Sequence, residues 1–133
     1  MVNKKILICG GAGYIGGYLT DCLLSAGEDV TVYDNLLFEN RFMKNVNFVY
    51  GDVRDQRALS KIINNFDIVV WLAAIVGDVA CGVSEDITNE INYESVKWLV
   101  DNYKGKIIFS STCSVYGINN NLIDEGSALN PLS

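Results

Sequence analysis

Histidine is absent from the 133 residues. That absence excludes nucleophile pairs built on imidazole, whether Ser-His-Asp or Cys-His, and every zinc site with a histidine ligand. Cysteine is sparse: Cys9, Cys22, Cys81 and Cys113 show no C-x-x-C spacing. Cys9 falls in an apolar strand pattern and Cys22 in a helical one, so both read as buried free thiols, not as metal ligands or a disulfide framework. Proline occurs once, at Pro131, and no proline-rich linker divides the chain. Positive charge is also short, with 10 Lys+Arg against 16 Asp+Glu and a net charge of −6. No basic cluster interleaves with aromatics, which argues against a nucleic-acid partner. Long hydrophobic runs are missing too. The start M-V-N-K-K precedes an apolar run of only residues 6–9 before glycines break it, too short for an export signal or a bilayer span. A cytoplasmic protein with no membrane partner is expected.

What remains is a globular composition, 50% apolar and 20% charged, of a length that fits one domain, 1–133. Strand-length apolar runs occur at Lys5 to Cys9, Asp29 to Tyr33, Val46 to Tyr50, Ile68 to Leu72 and Lys106 to Ser110. Helical spacing fills the intervals Tyr14 to Ala26, Gln56 to Asn65 and Ile87 to Tyr103, the last preceded by a capping sequence at Ser84 to Asp86. Uniformly apolar strands alternating with helices predict an α/β doubly wound parallel sheet, a Rossmann arrangement with strand order 3-2-1-4-5. Such sheets bind ligands at the carboxyl ends of their strands, beside the point where strand order reverses.

After the first strand comes G-G-A-G-Y-I-G-G, Gly10 to Gly17, in which Gly10, Gly13 and Gly16 fit the G-x-x-G-x-x-G spacing. Glycine permits positive φ in the turn and lets the backbone approach a pyrophosphate, while the helix starting near Tyr14 turns unpaired N–H groups toward the phosphates. The second strand ends in Y-D-N, and Asp34 stands 18 residues beyond Gly16. That spacing suits the acid that binds an adenosine ribose, and a carboxylate there repels a 2′-phosphate, so NAD is favoured over NADP. A solvated or capping carboxylate is the plain alternative. Gly17 and Tyr18 occupy the places where a nucleotide-triphosphate loop would carry Lys and Ser/Thr, which excludes an ATPase or kinase reading.

The ordered series G-G-A-G-Y-I-G, Y-D-N-L, G-D-V-R-D (Gly51 to Asp55), W-L-A-A-I-V-G (Trp71 to Gly77), N-Y-E-S-V (Asn92 to Val96) and S-S-T-C-S-V-Y-G (Ser110 to Gly117) resembles the extended short-chain dehydrogenases/reductases, the NAD-dependent epimerase/dehydratase family acting on nucleotide-sugars. The resemblance implies cofactor contacts from Gly10, Gly13, Tyr14, Ile15 and Gly16, and from Asp34 and Asn35. It also implies that Asp52 meets the adenine amino group with Val53 beside it, that Leu72, Ala73 and Ala74 line the cofactor's path, that Asn92 supports that side and that Ser110 lies near the nicotinamide ribose. Thr112 corresponds to the family's catalytic Ser/Thr, which hydrogen-bonds the substrate oxygen while hydride moves. Trp71 stands where relatives usually carry histidine, and its indole N–H needs a partner.

Thr112's family partners are a tyrosine and lysine in Y-x-x-x-K on the following helix. The spacing occurs here only at Tyr93 and Lys97, before the fifth strand, where chance explains it. The expectation is therefore an NAD-binding domain incomplete at its C-terminus, without the later strands and substrate domain, inactive alone. Apolar sheet and helix surface should be uncovered and favour a homo-oligomer. A non-catalytic dinucleotide-binding or sensing module is the alternative.

Overall fold

Short runs rich in Val, Ile and aromatic side chains suit a pleated, buried surface, and five of them pair in parallel: β1 Lys5–Cys9, β2 Asp29–Asp34, β3 Asn47–Tyr50, β4 Ile68–Trp71 and β5 Lys106–Phe109. The computed structural model describes residues 3–132. The sheet order is 3-2-1-4-5, as expected, so β1 is central and the order reverses between β1 and β4. The register sets Ile8 opposite both Val32 and Val70.

Successive strand residues face opposite sides, and each side is buried. Ile6, Ile8, Val30 and Val70 pack against Leu19 and Leu23 of helix α1 Tyr14–Ser25. Leu7, Cys9, Tyr33, Val69 and Trp71 form the other face. Leu59 of α2, Gln56–Ser60, covers this face together with Ile91 and Leu99. Full burial of one such aliphatic side chain stabilises the fold by roughly 1.5–3 kcal/mol. Helix α1 stops where Gly27 takes a φ of +82°. There Gly27 N–H bonds the Leu24 carbonyl at 3.0 Å and Glu28 N–H the Leu23 carbonyl at 3.1 Å, closing the helix end on its own carbonyls.

Three helical features differ from expectation. The stretch Gln56 to Asn65 is α2 followed by a separate 3₁₀ turn, Ile63–Asn65. A short helix, α3 Asp78–Gly82, carries no buried side chain and so left no apolar periodicity to read. The long helix, α4, spans residues 85–102 and contains a π turn at Glu90–Glu94. The Ser95 backbone N–H bonds the Glu90 carbonyl, five residues back, as a π turn requires, and the buried Ser95 hydroxyl donates to the same oxygen at 2.7 Å. Its start matches the expected cap, with Ser84 Oγ accepting from Ile87 N–H at 3.3 Å.

Trp71 finds room but not its expected partner. It is 1% exposed and its indole Nε1 is buried without a hydrogen bond. Its neighbours in the cluster are largely apolar, so the ring's packing offsets a desolvation cost of about 1–3 kcal/mol. The expected uncovered apolar surface is present: Val100 on α4 and Ile108 and Phe109 on β5 are exposed.

Candidate functional site

The chain leaves β1 through Gly10, whose φ of +83° suits glycine alone at little cost. A Cβ there would also lie 2.5 Å from the Ala73 nitrogen. Gly16 is needed for packing, because its Cβ would stand 2.5 Å from the Gly10 carbonyl oxygen and push α1 off the turn. Gly13 differs from both. Its φ of −69° suits any residue, and an added Cβ meets only the Gly10 oxygen, at 3.6 Å. Protein packing therefore does not demand glycine at 13, whereas a bulky group lying against the turn does. The Tyr14, Ile15 and Gly16 N–H groups precede the first helical bond, from Gly17 N–H to the Gly13 carbonyl at 2.8 Å. They form the positive end of α1, suited to an anion.

Asp34 closes β2 and braces the turn. Its Oδ2 accepts from Ala12 N–H at 3.0 Å and its Oδ1 from Leu36 N–H at 2.8 Å. Each oxygen keeps a second lone pair for another donor. Turn and carboxylate meet at a cleft of about 130 Å³, open to solvent. Of the expected site residues, Gly10, Gly13, Asp34, Asn35, Val53, Leu72, Ala73 and Ala74 line it. Tyr14 lies instead beside a second, more open cleft with Glu39, Arg41 and Lys44. Ile15 is exposed on α1, while Gly16 is buried beneath the turn.

Asp52 stands beside Val53 and is heavily engaged. Arg54 N and Nε donate to its Oδ1 at 2.9 and 3.0 Å, and Arg54 Nη2 and Asn35 Nδ2 donate to its Oδ2 at 2.8 and 3.2 Å. Hydrogen bonding from the Arg54 side chain leads the causes that hold its carboxyl down at about 2, against a smaller upward push from burial. Arg54 also reaches Glu90 at 3.4 Å, tying this loop to the π turn. Within that turn Asn92 clamps the backbone of Ile75, accepting from its N–H at 2.9 Å and donating to its carbonyl at 2.8 Å. Ile75 lines the cleft, so Asn92 shapes the wall from behind.

Ser110 follows β5, its N–H 3.4 Å from the Trp71 carbonyl. Thr112 is exposed and caps a 3₁₀ turn, Cys113–Tyr116, its Oγ1 accepting from Ser114 N–H at 3.2 Å. The hydroxyl proton remains available to donate outward. Tyr93 and Lys97 are exposed on α4, and neither lines the cleft.

A sequence profile of the NAD dependent epimerase/dehydratase family matches residues 6–133. The chain belongs to that family. A UDP-glucose 4-epimerase of Halalkalibacterium halodurans is 36% identical over 119 residues, covering 84% of this chain and 36% of the relative. A UDP-N-acetyl-alpha-D-glucosaminuronate decarboxylase of Bacillus cytotoxicus is 30% identical over 124 residues, covering 87% and 39%. Among solved structures, UDP-glucose 4-epimerase from Brucella ovis in complex with NAD superimposes with a TM-score of 0.87 at 30% identity, over 98% of this chain and 42% of that one. The chain thus spans about two fifths of the length of these relatives.

In this epimerase/dehydratase-family chain the cleft also uses residues that sequence reasoning missed: Tyr33, Leu37, Phe38, Glu39, Gly51, Ile75 and Ile91. Tyr33 is buried and donates to the Asp52 carbonyl at 2.9 Å. Burial, with neighbouring Cys9, Asp55 and Asp52, pushes its phenol up to about 12, so it stays a neutral donor. Gly51 had a readable signal, since G-D-V follows a strand as the glycine turn follows β1. Leu37 and Phe38 had another, as adjacent large apolar residues in a stretch without helical spacing.

Proposed function

We propose that this chain is the NAD-binding part of a nucleotide-sugar epimerase or dehydratase that moves hydride at a sugar carbinol carbon. One observation carries the reading most directly. Gly13 lies at the cleft with no protein atom requiring glycine there, next to the positive end of α1 and the Asp34 carboxylate. A diphosphate lying against residue 13 needs that missing side chain, and a ribose diol needs the acceptor. NAD, when bound, supplies the hydride acceptor or donor. The first turn of α1, through Gly13, Tyr14, Ile15 and Gly16, holds the diphosphate, while Asp34 and Asn35 orient the adenosine ribose. Leu72, Ala73 and Ala74 give the cofactor a close apolar path along the end of β4, and Asn92 keeps that path in place. Ser110 meets the nicotinamide ribose. Thr112 donates a hydrogen bond from its free hydroxyl to the substrate oxygen.

The nucleotide-sugar is proposed from the named relatives, a UDP-glucose epimerase and a UDP-sugar decarboxylase. The chain by itself is inactive in this reading. Tyr93 and Lys97, which have the family spacing, lie exposed on α4 away from the cleft and do not serve Thr112. That same placement favours a second reading, a dinucleotide-sensing module, which predicts NAD binding unaffected by sugar nucleotides. Calorimetry with NAD tests the first claim. The wild type binds, and Asp34→Ala weakens binding at least about tenfold. Equal affinity in the two proteins removes Asp34 from its role, and no binding by the wild type removes the cofactor reading.

A further inference from the structure

Beyond Asp34 the chain runs from β2 to β3 without a helix, and its conformation is unusual. Leu36 has a φ of +54°, the only positive value outside glycine among the described residues. A left-handed backbone is disfavoured for a side chain like leucine's, so something must hold it. Asp34 Oδ1 accepts from Leu36 N–H at 2.8 Å, and Asn35 Oδ1 accepts from Leu37 N–H at 3.1 Å. These two side chains fix the path of the next residues. Leu37 and Phe38 then line the cleft while 60% and 75% exposed.

Packing within the protein does not account for Phe38. It belongs to neither core cluster. Phe42, in the same loop, stacks on Phe48 with ring centroids 5.0 Å apart, whereas Phe38 has no aromatic partner among the described residues. Its place in the loop after β2 sets which end of the cleft it stands over. Leu37, Phe38 and Val53 stand over the β2–β3 end of the cleft, and Thr112 follows β5 at the opposite edge of the 3-2-1-4-5 order. A dinucleotide lying across the switch point with its reacting ring toward Thr112 has its adenosine toward Phe38.

We propose that Phe38, backed by Leu37, is the wall against which the adenine ring packs, and that Phe38 sets affinity for the adenosine half of the cofactor. This rests on the NAD reading above. An exposed aromatic ring gains by covering a base, since every base has a π-face, and such contacts change affinity by roughly 10- to 100-fold. Asp34 and Asn35 then act twice, once on the ribose and once in aiming the wall.

Calorimetry with NAD and with ADP-ribose tests the wall on the wild type, Phe38→Ala and Phe38→Leu. Phe38→Ala is expected to weaken both ligands by about tenfold or more and by similar factors, with Phe38→Leu intermediate. The urea midpoint stays put because the side chain is exposed. Equal NAD affinity in wild type and Phe38→Ala overturns the wall while leaving the NAD reading intact. Loss of NAD affinity with ADP-ribose unaffected also overturns it, placing the ring against the nicotinamide half. A wild type that binds neither ligand ends both. Should Phe38→Ala unfold, Phe38→Leu decides by the same comparison.

Discussion

The two ends of the candidate site are built differently. At the β1–β2 end each group is fixed more than once: Gly10 by its backbone angle and by the Ala73 backbone, Asp34 by two N–H groups. At the β5 end residues 110–114 are exposed, and Thr112 is held only within its own turn, its hydroxyl accepting from Ser114 N–H and its carbonyl from Val115 N–H at 3.4 Å. The strap behind it is a bond from Asn130 N–H to the Val115 carbonyl at 2.8 Å. Folding therefore builds the proposed cofactor grip out of the core, whereas the proposed catalytic hydroxyl is only presented by a surface segment. Stability and cofactor affinity should be coupled at the first end wherever one group serves both, as Gly10 does, and separable at Gly13 and at the second end.

Alanine substitution within the glycine turn gives the largest test of that coupling. Gly10→Ala combines a positive φ with a backbone overlap, and is expected to cost more than about 3 kcal/mol, enough to unfold a marginal domain. Gly13→Ala should do the opposite. At a helix N-cap alanine is poorer than glycine, but it restricts the unfolded chain more, so stability moves by less than about 0.5 kcal/mol. NAD affinity should nonetheless fall at least about tenfold. Urea unfolding and calorimetry on both variants check this. A stable Gly10→Ala, or a Gly13→Ala that binds NAD normally, breaks the proposed division of labour within the turn.

The same contrast explains what the sequence disclosed. Strand order, the glycine turn and Asp34 were legible because core packing imposes alternation on strands and close contact imposes glycine at fixed spacing. The π turn was not, because one backbone bond from Ser95 N–H to the Glu90 carbonyl, seconded by the Ser95 hydroxyl, leaves no mark on the apolar periodicity. Helix α3 buries nothing, so it has no pattern. The wall residues Leu37 and Phe38 owe their placement to side-chain caps on Leu36 and Leu37, and no periodicity encodes such caps. An indole N–H calls for a polar partner, yet the surroundings of Trp71 are largely apolar, and van der Waals packing of the ring prevails over its unmet N–H.

A smaller effect probes the link between the adenosine end and α4. Asp52 titrates near 2, below its ordinary 3.8, chiefly through the Arg54 side chain. A depressed carboxyl contributes stability above the unfolded value, and loses it as pH falls from about 4 toward about 2. Asp52 and Arg54 side chains are 28% and 38% exposed, so solvent screening limits the contribution to about 1 kcal/mol. Arg54→Gln should therefore be less stable than wild type at pH 7, with the gap narrowing as pH falls from about 4 to about 3. Urea midpoints across that range measure it. A gap independent of pH assigns Arg54 to packing alone and cuts the tie from Asp52 to Glu90.

Thr112→Val should have the smallest effect on the isolated chain, and for that reason it is the most searching test of the β5 end. The substitution keeps shape and removes one exposed cap, costing at most about 0.5 kcal/mol. NAD affinity should stay within about twofold, because Thr112 follows the edge strand β5, well across the sheet from Asp34 on β2, and does not line the cleft. In a protein of this family able to turn over a nucleotide-sugar, the same change should lower kcat by roughly 100-fold while Thr112→Ser retains activity, as a hydrogen-bond donor at the substrate oxygen requires. If Thr112→Val weakens NAD binding as much as Asp34→Ala does, the hydroxyl belongs to the grip itself, and the two ends form one cooperative unit.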